Sequence, residues 1–237
     1  MAYNYDNFDA RHYDLAQFRG PKPGTRAPDF DVVTPDGTAT NVLNFDADFL
    51  VLEMGSLTCP LFQGRRKGMA RLDAEFPDAS FAILYVREAH PGEKIGAHRT
   101  IADKTSCAQR LERDEGEARR ILIDDLGGDV HEAYGGYPNS VFIINRGGCV
   151  VWASDWNDTA ATGRALRLLK AGKPANVRSI FKPVAPQVSL RTLGKGGRGS
   201  GADFLRSFPS LVWNNLIRRN LRVLLGRPAG IAPDTSC

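Results

Sequence analysis

The residues best suited to chemistry fall in one stretch, Val51 to Phe62. An apolar run, Val51-Leu52-Glu53-Met54, breaks at Gly55; Ser56-Leu57-Thr58 form a short turn, and Cys59 is followed at once by Pro60. The pattern reads as a buried strand, a polar turn and a helix that starts at the cysteine. Proline is tolerated at the first helical position because its missing N–H has no intrahelical partner there. A cysteine at a helix N-terminus faces unpaired N–H groups and the positive end of the helix dipole, and both favour the thiolate. The spacing therefore predicts a reactive thiol at Cys59; the plainer alternative is a small buried residue in a tight turn.

The bulk of the chain sets the frame for that thiol. Its 237 residues suit one α/β domain with extensions, or two small domains. A hydrophobic content of 42% and a charged content of 24% are those of an ordinary globular protein. Four cysteines without CxxC pairs suggest neither a disulfide scaffold nor a zinc site. Residues 1–20 are polar and aromatic without an apolar core, so no signal peptide is expected, nor any run of the ~20 apolar residues that span a bilayer. A cytoplasmic setting is the default. The net charge of +4 is uneven: from Asn176 onward ten Lys/Arg face two acidic residues, so the body is mildly acidic and the tail basic.

The elements that must hold Cys59 follow from periodicity. Residues 1–23 read as an irregular arm ending in turn-rich Gly20-Pro21-Lys22-Pro23-Gly24. Two short strands around Thr34-Pro35-Asp36-Gly37 come next. Phe49–Met54 is a strand buried on both faces, and Pro60 to about Glu75 a helix with Phe62, Met69 and Leu72 at helical spacing. Strand Phe81–Val86, a helix from about Arg99 to Arg113, strand Ile121–Asp124 and a short helix Asp129–Tyr134 follow. A hairpin then joins Val141–Ile144 to Cys149–Trp152, and a helix Thr159–Lys170 stops at Gly172 and Pro174. This βαβα–βαββα order predicts an α/β, thioredoxin-like fold over residues 24–175, with the N-terminal hairpin leading it. Tyr137-Pro138 stands where that fold places a cis-proline facing the reactive cysteine.

Residues 176–237 read as a basic extension. Glycines between Leu193 and Gly201 predict a flexible linker. Apolar residues from Phe204 to Leu225 then recur at helical spacing among Arg206, Arg218, Arg219, Arg222 and Arg227. Such a basic amphipathic helix suits a membrane surface or a partner, or packing on its own domain. Nothing points to nucleic acid.

Two motifs carry a family resemblance. Gly55-Ser56-Leu57-Thr58-Cys59-Pro60-Leu61-Phe62 resembles the Gly-Ser-Cys-Thr-Sec-Pro-Pro-Phe signature of the iodothyronine deiodinases, thioredoxin-fold selenoenzymes related to peroxiredoxins, with Cys59 at the selenocysteine position. Tyr85-Val86-Arg87-Glu88-Ala89-His90 is similar to that family's Tyr-Ile-Glu-Glu-Ala-His. His98 with Asp103-Lys104, and Tyr134-Gly135-Gly136-Tyr137-Pro138, match further family motifs, so the resemblance covers about residues 45–170.

The resemblance implies Cys59 as nucleophile toward a halogen or another soft electrophile. It implies His90, Glu88 and His98 as a proton-delivery network, because the group that departs must be protonated. Ser56 and Thr58 would hydrogen-bond the sulfur or relay protons, and Phe62, Tyr137 and Pro138 would meet the substrate. No bound cofactor or metal is implied, only an external thiol reductant such as thioredoxin or glutathione, and a homodimer by analogy. Cysteine in place of selenocysteine implies slower deiodination. The loop from His90 to His98 is shorter than the family's. Arg119-Arg120 stands where the family has a resolving cysteine; Cys107 on the preceding helix is the candidate substitute, and the plainer reading of it is a small helical residue. Two other functions remain open: a peroxiredoxin-like thiol peroxidase or thiol–disulfide oxidoreductase, and a redox-inactive binding module anchored by its tail.

Overall fold

The computed structural model describes residues 3–237; Met1 and Ala2 of the predicted arm lie outside the described residues. Seven strands form one sheet in the order β2-β1-β5-β4-β3-β6-β7. They are β1 (Asp31–Val33), β2 (Ala39–Asn41), β3 (Phe49–Gly55), β4 (Ser80–Tyr85), β5 (Arg120–Ile123), β6 (Val141–Asn145) and β7 (Val150–Ser154). β3, β4 and β5 run parallel, as their helical crossovers demand, while β6 and β7 return antiparallel. The leading hairpin joins the other edge through Val33 opposite Ile123.

Alternation along the strands sorts the core into two faces. Val51, Phe81 and Ile143 pack against Met69 and Leu72 of α1 (Pro60–Glu75) and Leu166 and Leu169 of α4 (Thr159–Lys170). Ile83, Tyr85 and Ile121 meet Ala108 and Leu111 of α2 (Ile101–Arg113) on the same side. Leu52, Leu84 and Phe142 face the other way, against Val130 of α3 (Asp129–Ala133) and Tyr134. This is the thioredoxin-like arrangement predicted, with α4 at its predicted bounds.

Three expectations are corrected. The described residues contain no cis peptide bond, so Tyr137-Pro138 is trans. The cysteine spacing suggested no disulfide, yet Cys149 in the β6–β7 turn is bonded to Cys237, which closes the chain from β7 to Cys237 into a loop. The glycine-rich stretch is not a linker. Leu193 to Gly196 end a helix, α5 (Pro186–Gly196), and the chain turns directly into α6 (Ser200–Leu211). Those glycines serve close backbone approach rather than flexibility: Lys94 N donates to Gly196 O at 2.8 Å, and a Cβ on Gly196 would lie 2.9 Å from the His90 carbonyl oxygen.

Beyond α6 the helix continues without a break as a π-helical stretch, Val212–Arg219, and then α7 (Asn220–Leu225). The wide turn follows Pro209, which cannot donate a backbone hydrogen bond inside α6. α5 packs on α1, so the basic extension lies against the domain.

Candidate active site

Strand β3 ends at Gly55 because nothing larger fits: a Cβ there would sit 2.4 Å from the Phe62 ring. The turn that follows makes Cys59 the N-cap of α1, its Sγ accepting from Phe62 N at 3.5 Å. The geometry is the one predicted, but the electrostatics are not. Cys59 is 1% exposed, and burial pushes its thiol up to about 12, more than the Phe62 and Leu61 N–H groups lower it. In the closed structure desolvation thus opposes the thiolate that the helix start was expected to favour.

Glu88 is the hub beside it. Thr58 donates to Glu88 Oε2 twice, from its N at 2.9 Å and from Oγ1 at 2.6 Å, and the Tyr85 hydroxyl donates to Oε1. His98 Nε2 stands 3.5 Å from Oε1, with neither ring nitrogen hydrogen-bonded among the described residues. Burial alone would raise the Glu88 pKa; the facing His98 with the Thr58 and Tyr85 bonds outweighs it and holds the carboxyl below its ordinary value. Ser56 Oγ accepts from Ala89 N at 3.3 Å and Thr58 Oγ1 from His90 N at 3.0 Å, which pins the Glu88-Ala89-His90 loop onto the cysteine turn.

The three-member network divides in the structure. Glu88 and His98 meet, whereas the His90 ring turns into an apolar niche between Phe8 and Phe204, at centroid distances of 4.1 Å and 5.5 Å, with Nδ1 unpartnered. Burial lowers the His90 pKa to about 3, so the imidazole is neutral. Cys107 sits with Glu88 and His98, their ligand atoms all within 4.8 Å of one another; burial, then the Glu88 charge, pushes its thiol up to about 12. This trio offers oxygen, nitrogen and sulfur donors of the kind zinc takes, although Glu88 is already engaged by Thr58 and Tyr85. Phe62 is fully buried under Gly55. Tyr137 packs on Phe18 and Trp156, both at 5.0 Å, and donates to Asp14 O at 2.6 Å; Pro138 is buried beside it.

Sequence reasoning missed the roof. Tyr5, Phe8 and Tyr13 of the arm are buried over this corner, and the Tyr5 hydroxyl donates to Ala89 O at 2.9 Å. Arg87, which replaces the first glutamate of the family motif, lies about 5 Å over the rings of Tyr3, Tyr5 and Tyr13 and clamps the arm down. α6 closes the other side, with Ser200 Oγ donating to His90 O at 3.0 Å and Ala10 N donating to Ser207 Oγ at 3.2 Å. Between arm and α6 runs an open cleft of about 560 Å³ lined by Phe8, Asp9, His12, Asp203 and Arg206. The density of tyrosines in residues 3–13 was the available signal. A second missed feature lies under the site. Glu53, buried in β3, receives Arg119 Nη1 at 2.7 Å and the side-chain amides of Asn139 and Asn157 at 2.9 and 2.6 Å.

The neutral burial of His90 predicts an acid limit. Its folded pKa lies near 3, below the ordinary 6.5, so the unfolded chain takes up the proton first. The stability it contributes is complete above about pH 6.5 and is lost as the pH falls through that value toward 3. Melting temperature measured from pH 7 to pH 4 should fall, and less steeply in His90→Leu. Parallel curves for the two proteins would rule His90 out as the source.

Fold and site together define a thioredoxin-like protein in which a buried cysteine follows a threonine bonded to a buried carboxylate. The iodothyronine deiodinase family matches residues 5–155, and the chain belongs to that family. It is 32% identical over 143 residues to thyroxine 5-deiodinase of Sus scrofa, a match covering 55% of this chain and 47% of the relative. Against the enzyme of the same name from Homo sapiens the identity is 30% over 143 residues, with the same coverage. The chain thus spans about half the length of the curated relatives it matches. Among solved structures, a hypothetical protein from Sinorhizobium meliloti 1021 superposes with a TM-score of 0.54 at 17% identity, over 72% of this chain and 91% of that one. An uncharacterized conserved protein from Geobacillus kaustophilus does so with 0.52 at 17%, over 72% and 87%. These two bear on the fold alone.

Proposed function

We propose that the protein is a thiol-dependent oxidoreductase that removes halogen reductively from an aromatic substrate. The observation that carries the reading is the Thr58–Glu88 bond, which ties the residue next to Cys59 to a buried carboxylate and, through it, to Tyr85 and His98. Cys59 loses its proton and its sulfur attacks the halogen. An S–halogen bond forms as the C–halogen bond breaks, and the ring carbon takes up a proton. The chain Thr58–Glu88–His98 can carry the proton released at sulfur and return one to carbon. An external thiol then attacks the oxidised sulfur and expels halide, leaving a mixed disulfide. A second thiol equivalent restores Cys59 and leaves as the oxidised reductant. Cys107 faces Glu88 and His98, so an external thiol is the resolving group in this scheme. No bound cofactor takes part.

The test is iodide release from an iodothyronine or iodinated phenol with excess dithiol, beside a hydrogen peroxide assay. Iodide release that disappears in Cys59→Ser is expected. Peroxide consumption without iodide release would move the chain to the thiol peroxidases. Silence in both assays would leave a redox-inactive binding module.

A further inference from the structure

The rod formed by α6, the π-helical stretch and α7 packs with its polar stripe inward. Asp203, Ser207, Asn215 and Arg219 are buried against the domain. Asn215 Oδ1 accepts from Trp156 Nε1 at 3.0 Å, and Arg219 pairs with Asp155 and donates to Ser179 O at 2.6 Å. The spacing of these four residues, by fours and an eight, marks a single helix face. The opposite face is apolar and open to solvent: Leu205 is 69% exposed, Phe208 48%, Trp213 58%, Ile217 46%, Leu221 55% and Leu224 59%. An uninterrupted exposed apolar stripe of this length marks an interaction site.

Charge selects the occupant. From Ser200 to Arg227 the one acidic residue is Asp203, and it points inward and pairs with Arg206. The exposed charges along the rod are Arg206, Arg218, Arg222 and Arg227, all positive. A second copy meeting this face about a two-fold axis would set arginine against arginine. No described helix is long and apolar enough to cross a membrane. We propose that this face beds into the surface of an anionic bilayer, with its apolar side chains at the headgroup–acyl boundary and its arginines among the lipid phosphates. The rod lies in the membrane plane. The proposal stands independently of what Cys59 attacks.

The experiment is flotation of the full-length protein with vesicles of phosphatidylcholine alone and of phosphatidylcholine mixed with phosphatidylglycerol. Binding is expected with the mixed vesicles, and it should weaken as salt is added. Leu221→Asp with Leu224→Asp should reduce partitioning by about tenfold or more. Arg218→Gln and Arg222→Gln should each reduce it by about fivefold. Tryptophan emission offers a readout that needs no disruptive variant: Trp213 is exposed while Trp152 and Trp156 are buried, so a blue shift on mixing, absent in Trp213→Phe, is expected. Failure to float with the mixed vesicles, no emission shift, or binding indifferent to the aspartates would overturn the proposal. So would a solution dimer that the aspartate pair dissolves.

Discussion

Glu88→Gln is expected to lower turnover of the Cys59 reaction by about a hundredfold or more, with a much smaller change in KM. The substitution keeps the shape and an acceptor oxygen for both Thr58 donors, but it removes the carboxylate that Thr58, Tyr85 and His98 share. Tyr85 must then share a neutral amide, and His98 Nε2 faces that amide in place of a carboxylate. A stability loss of about 1–3 kcal/mol is expected from the imperfect pairing. Steady-state kinetics and thermal melting on the same preparation separate the two effects. Full turnover in Glu88→Gln would remove Glu88 from proton transfer and leave it a structural clamp.

The largest expected loss of stability comes from Arg119→Ala. Arg119 and Glu53 have side chains 1% and 0% exposed, and Arg119 also holds Glu117 at 2.8 Å. Removing the guanidinium strands a buried carboxylate beneath the site, at a cost of about 3–5 kcal/mol. Arg120, the next residue, points to the other side of the strand, donating to Thr40 Oγ1 and the Asn44 carbonyl near the surface. Its alanine variant should lose only about 1 kcal/mol. Urea unfolding of the two variants is the comparison. If Arg119→Met combined with Glu53→Leu is no more stable than Arg119→Ala, the loss does not come from the stranded charge.

What was legible in the chain follows physical lines. Phe49–Gly55 and Pro60–Glu75 were readable because a doubly buried strand must be apolar throughout, and because glycine and proline mark the junction. The bounds of α4 were readable because Asp158 caps one end and Gly172 releases the other. Thr58 meets Glu88 because the ends of β3 and β4 lie side by side as a parallel pair. What opposes a thiolate at Cys59 was not readable: the cluster in which the sulfur is buried draws Ile83, Ala89, Ile95 and Ala108 from segments distant in sequence. Nor was the orientation of α6. Periodicity located its apolar stripe, but polar side chains on the other stripe found specific buried partners in Trp156, Asp155 and Ser179, and those bonds decide which side faces in. Gly196 shows the same limit, because a glycine required for close approach has the same letter as one in a loose linker.

The burial of Cys59 also sets how its chemistry will appear in a rate measurement. A sulfur 1% exposed meets no reagent in the closed form, so reaction proceeds through whatever fraction of molecules has the site open. The observed second-order constant is then the constant of the open form multiplied by that fraction; at ~1% open, an intrinsically fast thiol reads as a hundredfold slower one. A substrate that opens the site by its own binding supplies part of the opening, whereas a small alkylating reagent does not. Reactivity toward iodoacetamide and turnover of the proposed substrate class need not run in parallel in this protein, and their ratio measures how far the substrate opens its own way in.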